Sequence, residues 1–248
     1  MIFKHALFYP AGDQSLVMQF GDIIDPLINA RIRSMVSAIE KTPALQIIDI
    51  LPTYCALQIF YSPLVTDVDH LIEQLKEIEK SLLMQSYDDA QIIEIPVLYG
   101  GMYGPDLEFV AKHSGLTPKE VISIHSERDY LIYMLGFTPG FGYLGGMDER
   151  ISTPRLETPR TKIPAGSVGI AGSQTGIYPV DSPGGWQLIG RTPLKMFDPL
   201  KKVPVLFKAG DYIRFISITE EEFVRIQEEF ASDRYVIQFL KKKERRHG

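Results

Sequence analysis

Short runs rich in apolar and β-forming residues punctuate the first third of the chain. At His5 to Tyr9 and Ser15 to Phe20 they flank the turn Pro10-Ala11-Gly12-Asp13, and they return near Leu45 to Leu51 and Tyr54 to Tyr61, which predicts four strands. Between the pairs the period changes to that of a helix. Asp25-Pro26 supplies an N-cap and a proline at the first helical position, and Leu27, Ile28, Ile32, Met35, Val36 and Ile39 follow at helical spacing. A second helix, opened by Thr66, carries Leu71, Ile72, Leu75, Ile78 and Leu82 on one face, with the acidic residues of Glu73 to Glu79 alternating with lysines as on a solvated face. The order ββαββα describes a sheet covered on one side by two helices. A polar break at Tyr87-Asp88-Asp89 divides the chain into expected domains 1–88 and 89–248.

Beyond the break the pattern becomes strand-rich. Ile92 to Tyr99 reads as a strand, Pro105 to His113 as a short helix closed by Gly115, and Thr117-Pro118 with Glu120 as the capped start of another helix, which places His125 at its C-terminal end. There the dipole favours a cation, so the plain reading of His125 is a helix cap. Tyr130 to Phe137, Ser167 to Gly172, Trp186 to Arg191, Val203 to Lys208 and Tyr212 to Ser217 are predicted strands, and short strands joined by shaped turns suggest a closed or nearly closed barrel. Thr219 caps a final helix, and the tail KKKERRHG reads as solvated.

The polar chemistry collects in the Gly/Pro-rich stretch from Leu135 to Pro199. Thr153-Pro154-Arg155 and Thr158-Pro159-Arg160 repeat at a spacing of five, and guanidinium groups on proline-fixed backbone suit a carboxylate or another anion, or else pin the loop through backbone carbonyls. Arg191 and Thr192 follow Gly190, Gln174 and Tyr178 can orient a polar ligand, and Phe137, Pro139, Phe141 and Trp186 form an aromatic rim. No glycine-rich phosphate loop, HExxH, paired CxxC or GxSxG element is present, so no metal is expected and the catalytic set looks like half of one, completed by another chain.

Composition narrows the class without changing that picture. An apolar fraction of 45% and a charged fraction of 23% describe a globular protein, and a net charge of -5 argues against nucleic acid. No apolar run approaches a membrane span or a signal peptide, so the expectation is a cytoplasmic protein. Cys55, alone in an apolar run, reads as a buried structural thiol.

The runs GFTPGFGYLGG (136–146), TPRLETPRTKIPAGSVGIAG (153–172), QTGIYP (174–179) and SPGGWQLIGRTPLKMFDP (182–199) resemble the 5-oxoprolinase B-subunit family, also known as the KipI or allophanate hydrolase subunit 1 family. Looser similarity reaches back through PVLYGGMYGPDLEFVA (96–111) to GDQSLVMQFGD (12–22). The resemblance implies an α+β protein, a small α/β domain followed by a cyclophilin-like β-barrel. It also implies one component of an ATP-dependent hydrolase that opens 5-oxoproline to glutamate together with the C and A subunits of 5-oxoprolinase, ATP being bound by the complex. The B and C subunits would activate the lactam carbonyl by phosphorylation and the A subunit would complete ring opening, so the chain alone is expected to be inactive; in that reading His125 is the acid/base candidate and Arg155, Arg160 and Arg191 face carboxylate or phosphate charge. Two alternatives come with the family: inhibition of a sporulation histidine kinase, and allophanate or urea chemistry. Peptidyl-prolyl isomerisation ranks below both, because that enzyme's catalytic arginine and apolar pocket cannot be placed here.

Overall fold

The structure is a computed structural model, and it describes residues 1–82, 90–136 and 138–241. The chain forms two compact units, Met1–Asp88 and Asp89–Gly248. The expected break at residues 87–89, Phe137 and the tail from residue 242 onward lie outside the described residues.

In the first unit, β1 (Ile2–Pro10), β2 (Ser15–Gly21), α1 (Pro26–Glu40), β3 (Ile47–Pro52), β4 (Ala56–Tyr61) and α2 (Val68–Leu82) follow one another as ββαββα. The sheet runs β1-β2-β4-β3 and is antiparallel throughout. Alternation sends Leu16, Met18 and Phe20 of β2 and Leu57, Ile59 and Tyr61 of β4 to one face, where they meet Ile28, Ile32, Met35, Leu71 and Leu75 of the helices. The Asp25 carboxylate accepts from the Leu27 amide at 2.7 Å, the cap that the sequence announces. Leu27 itself is exposed, so the buried stripe begins at Ile28. Thr66 does not cap α2; the Asp67 side chain does, accepting from the His70 amide at 2.9 Å. Cys55 is half-buried rather than enclosed, and its thiol donates to the Ile23 carbonyl.

Glu79 departs from the solvated-face reading. It is buried, paired with buried Arg31 of α1, and its two oxygens accept from the Ala6 amide at 3.0 and 3.2 Å. Arg31 also donates to the carbonyls of Phe3 and Lys4. The β1–β2 ladder is irregular between Ile2 and Leu7, and this pair satisfies backbone groups that the ladder leaves open. Glu79 continues the four-residue spacing of Leu71 and Leu75, which is the sequence signal for its burial.

The second unit contains β5 (Gln91–Tyr99), α3 (Leu107–Ser114), α4 (Pro118–Ser126), β6 (Asp129–Leu135), β7 (Gly142–Gly145), β8 (Arg160–Ile163), β9 (Ser167–Ala171), β10 (Gln174–Ile177), β11 (Ser182–Gly184), β12 (Gln187–Arg191), β13 (Tyr212–Ser217), α5 (Glu220–Ala231) and β14 (Phe239–Lys241). The large sheet runs β10-β9-β12-β5-β13-β6-β7, with β14 also on β5. Its end strands β10 and β7 come side by side, which nearly closes the sheet into a barrel; the fold is α+β. Pro96 is tolerated inside central β5 for a local reason. The Glu94 amide points to the Gln238 carbonyl beside β14, and β12 pairs only from Leu98 onward, so the missing donor of Pro96 falls between the two partners.

Capping boxes at Thr117/Glu120 and Thr219/Glu222 start α4 and α5, and Gly115 ends α3 at φ 67°. Val203 to Lys208 forms no strand: Val205 makes a single bridge to Phe197, and Pro204 lacks the donor that a ladder needs.

Candidate functional site

The central stretch folds into a wall of aromatic rings backed by short strands. β8 pairs with β11, and the chain then delivers Trp186, while β10 ends just before Tyr178. Phe141, Tyr178 and Trp186 meet edge to face, with centroids 6.0 to 6.4 Å apart, and Tyr143 adds a fourth ring at 5.2 Å from Phe141. Ile163 and Leu188 pack behind Tyr178, which is buried, while Trp186 stays half-exposed. Gly184 has to be glycine here, since a Cβ would stand 2.4 Å from the Tyr178 hydroxyl.

The two TPR arginines diverge in role. Arg160 donates through Nη2 to Asp106 Oδ1 at 2.7 Å and through Nη1 to the Trp186 carbonyl at 3.3 Å, and Asp106 Oδ2 accepts from the Leu188 amide at 2.6 Å. One carboxylate at the start of α3 thus ties β8 to β12, and Arg160 serves the loop. Sequence reasoning missed Asp106, because a residue after Pro105 reads only as a helix start. Arg155 is exposed and has no hydrogen-bond or ion-pair partner among the described residues, although its backbone is fixed: buried Gln187 donates to the Pro154 carbonyl at 2.9 Å, and the Leu156 amide donates to the Gly185 carbonyl at 2.7 Å. Burial pushes the Tyr178 phenol up; a backbone hydrogen bond from Trp186 and the charges of Arg155 and Arg160 pull it the other way and are outweighed.

Other expected residues lie elsewhere. Arg191 donates from Nε to the Ala165 carbonyl at 2.9 Å and so holds the Pro164–Gly166 turn. Thr192 is buried; its amide donates to the Gly166 carbonyl, and its hydroxyl accepts from the Leu194 amide. Gln174 opens β10, four residues before Tyr178. Pro139 is exposed in the turn before Phe141, in a trans peptide bond. Among the described residues no group of three or more His, Cys, Asp or Glu side chains is placed to hold a metal ion.

His125 is neither a cationic helix cap nor a group that a reactant can reach. It is fully buried, stacked on Phe215 at 4.5 Å, with Tyr99 Oη 2.8 Å from Nδ1 and Thr175 Oγ1 2.8 Å from Nε2. Thr175 donates its one hydroxyl proton to the Gly169 carbonyl at 3.0 Å, so it accepts from Nε2–H, and Nδ1 accepts from Tyr99. Burial pulls the imidazole down to about 3 and pushes Tyr99 up. The neutral ring therefore ties α4 to β5 and β10 as scaffold.

A family model described as the carboxyltransferase domain, subdomain C and D, matches residues 6–207. The 5-oxoprolinase B subunit of Bacillus subtilis (strain 168) is 44% identical over 228 residues, covering 88% of this chain and 95% of that protein. The chain belongs to the 5-oxoprolinase B-subunit family. Another member, the 5-oxoprolinase B subunit of Haemophilus influenzae, is 49% identical over 156 residues, covering 63% of this chain and 73% of that protein. The crystal structure of the uncharacterized protein PH0987 from Pyrococcus horikoshii is 48% identical and superposes with a TM-score of 0.52, covering 88% of this chain and all of that one. The Kluyveromyces lactis urea amidolyase structure shares the fold at 20% identity and a TM-score of 0.75, and this chain spans 16% of its length. No helix among the described residues is long and apolar enough to cross a membrane.

Proposed function

We propose that this chain acts as the B subunit of an ATP-dependent 5-oxoprolinase, cytoplasmic and inactive alone, that opens 5-oxoproline to glutamate with the C and A subunits. The observation that carries the reading is the match across nearly the full length of a protein named as a 5-oxoprolinase B subunit. The site chemistry agrees with it. 5-Oxoproline is a flat five-membered lactam bearing one carboxylate, and a free guanidinium on a fixed loop beside an aromatic wall suits both parts. Arg155 takes the carboxylate in this reading, and the half-exposed Trp186 covers one ring face.

ATP supplies the driving force that an unstrained amide needs to open. Among the described residues, the glycine-dense loop ahead of α3 commits several amides internally, Gly100 to the Ile189 carbonyl, Gly104 to the Gly100 carbonyl and Asp106 to the Leu188 carbonyl. We therefore assign the nucleotide contacts to the other components of the complex.

Co-expression with the C and A subunits and an assay of glutamate released from 5-oxoproline test the proposal. The complex is expected to release glutamate only with ATP, and the purified chain alone to release none. Turnover by the lone chain would remove the half-site reading, and an inert complex would remove 5-oxoproline as the substrate.

A further inference from the structure

The C-terminal segment of the second unit leaves a sheet edge open. Tyr235, Ile237 and Phe239 alternate along it, and a period of two puts all three on one side of an extended chain. Tyr235 and Ile237 pack against the core, whereas Phe239 stays 51% exposed although its partner across the ladder, Ile93, is fully buried. The strand it belongs to, β14, pairs with β5 alone, and no strand among the described residues lies along its other edge. The register fixes which groups that edge offers. Antiparallel residues turn alternately towards the partner strand and away from it, and the Glu94 amide donates to the Gln238 carbonyl, so Gln238 and Leu240 face β5 while the N–H and C=O of Phe239 point outward. Leu240, on the opposite face of the sheet, is 39% exposed. Lys241 ends the strand and begins a run of five basic residues and one acidic residue that reaches Arg246.

We propose that the outer edge of β14 is a docking site for an extended, acidic segment of another polypeptide of the 5-oxoprolinase complex, which adds a strand beside Phe239. The assignment rests on the B-subunit reading and deepens it by naming the surface and the chemistry of the contact. A strand added at an open edge meets the outward N–H and C=O with its own backbone and covers apolar side chains at alternate positions. Lysine within an edge strand commonly keeps other chains off it. Here the cations start where the strand ends, so Phe239 and Leu240 are flanked by charge and not interrupted by it. A partner strand that continues past Lys241 runs along positive charge, and that selects an acidic segment. A second copy of this chain brings the same cations and no acidic residue between Tyr235 and Lys241 to meet them.

The test measures the affinity of the full chain for the purified C and A subunits of 5-oxoprolinase by sedimentation. Phe239→Pro removes the outward N–H and the exposed ring, and proline is accepted on an edge strand where its missing donor faces solvent. The lone variant should melt close to wild type, while Kd for the other subunits should rise about 10-fold, through the loss of one backbone hydrogen bond and an apolar contact. Leu240→Pro removes a donor that faces β5 and should lower the melting temperature instead. Lys241→Glu, which leaves the ladder intact, should weaken association about threefold and flatten its salt dependence. Wild-type affinity in Phe239→Pro overturns the docking site, as does early melting of that variant, which would mean that the edge is not open. Affinity that holds steady from about 0.05 to about 0.5 M salt overturns the acidic partner. A lone chain that dimerises in solution and loses the dimer in Phe239→Pro gives the edge to a second copy and also overturns the proposal. Each of these results leaves the B-subunit reading standing, whereas a wild-type chain that binds neither subunit removes that reading and this one together.

Discussion

Two polar clusters in the second unit are built from similar residues and end in opposite states. Around His125, both ring nitrogens and the hydroxyls of Tyr99, Tyr130 and Thr175 all have partners, and the imidazole is sealed from solvent. Around Tyr178, the guanidinium of Arg155 has no hydrogen-bond or ion-pair partner among the described residues, on backbone that Gln187 and Gly185 hold in place. A buried polar group with every valence met contributes rigidity, because any rearrangement leaves a donor or acceptor without water or partner. A fixed donor with nothing to donate to is what a ligand completes. The difference separates scaffold from site better than residue type does: histidine is the commoner catalytic side chain, and here it is the one locked away.

Removing the scaffold group should give the largest effect. His125→Ala opens a ring-sized void next to Phe215 and orphans the Tyr99 hydroxyl and the Thr175 oxygen, so about 3–5 kcal/mol of stability should be lost. Activity of the complex should fall only with the folded fraction. The pH dependence carries a sign. The folded imidazole titrates near 3 and the unfolded one near 6.5, so above about 6.5 neither state holds the proton. Below that, the unfolded chain takes up a proton that the folded chain refuses, and stability should fall by about 1.4 kcal/mol per pH unit towards 3. A His125→Gln chain should lose one proton's worth of that slope in chemical denaturation measured from pH 7 to pH 4. Equal slopes in both chains would mean that the ring is reached by solvent.

How much of this was legible in the sequence follows from how local each signal is. Asp25, Thr117 and Thr219 announce their helices through contacts made within three residues, and the strands of long apolar runs, such as β2, β5 and β13, lie where the runs lie. β7, β8, β10, β11 and β14 are three or four residues long and rich in glycine, proline or charge, so their pairing is decided by the sheet around them and not by their own pattern. The same division runs through the site. The Gly/Pro stretch reads as a surface of shaped turns, and the rings of Phe141, Tyr178 and Trp186 pack together there. Which arginine is spent and which is free depends on Asp106, 54 residues away from Arg160 along the chain, and no local pattern encodes that. The burial of His125 is hidden for a related reason: its position at the end of α4 is visible in sequence, but the Thr175 and Phe215 that enclose it are not.

Arg155→Ala sharpens the other half of the comparison. Its side chain is exposed and makes no hydrogen bond or ion pair among the described residues, so melting should not change. If it holds the substrate carboxylate, kcat/KM for 5-oxoproline in the complex should fall by about 2–3 kcal/mol in transition-state terms, mostly through KM, because that contact exists in the ground state too. Arg155→Lys should recover only part of the loss, since an ammonium offers one point of contact where the guanidinium offers two. Unchanged kinetics in Arg155→Ala would show that the leftover donor is merely solvated and would dissolve the distinction between the clusters.

Arg191 tests the boundary between the two classes and should give the smallest effect. Its Nε is committed to the Ala165 carbonyl, as scaffold arginines are, while its terminal nitrogens have no hydrogen-bond partner among the described residues, as at a site. The half-buried position favours the first description. The Ala165 carbonyl can turn to water once the side chain is gone, and a hydrogen bond replaced by water costs about 1 kcal/mol. In a unit of this size that amounts to a fall of about 2–4 °C in melting temperature. Activity of the complex should drop no further than the folded fraction does, and Arg191→Lys should resemble Arg191→Ala, because an ammonium on a flexible stem does not reproduce the Nε contact to the turn. The opposite pattern, unchanged melting with a tenfold or larger loss of activity, would extend the site along β12 to the Pro164–Gly166 turn. It would also mean that one arginine can be half committed to scaffold and half to ligand, so the test of leftover donors would have to be applied atom by atom and not side chain by side chain.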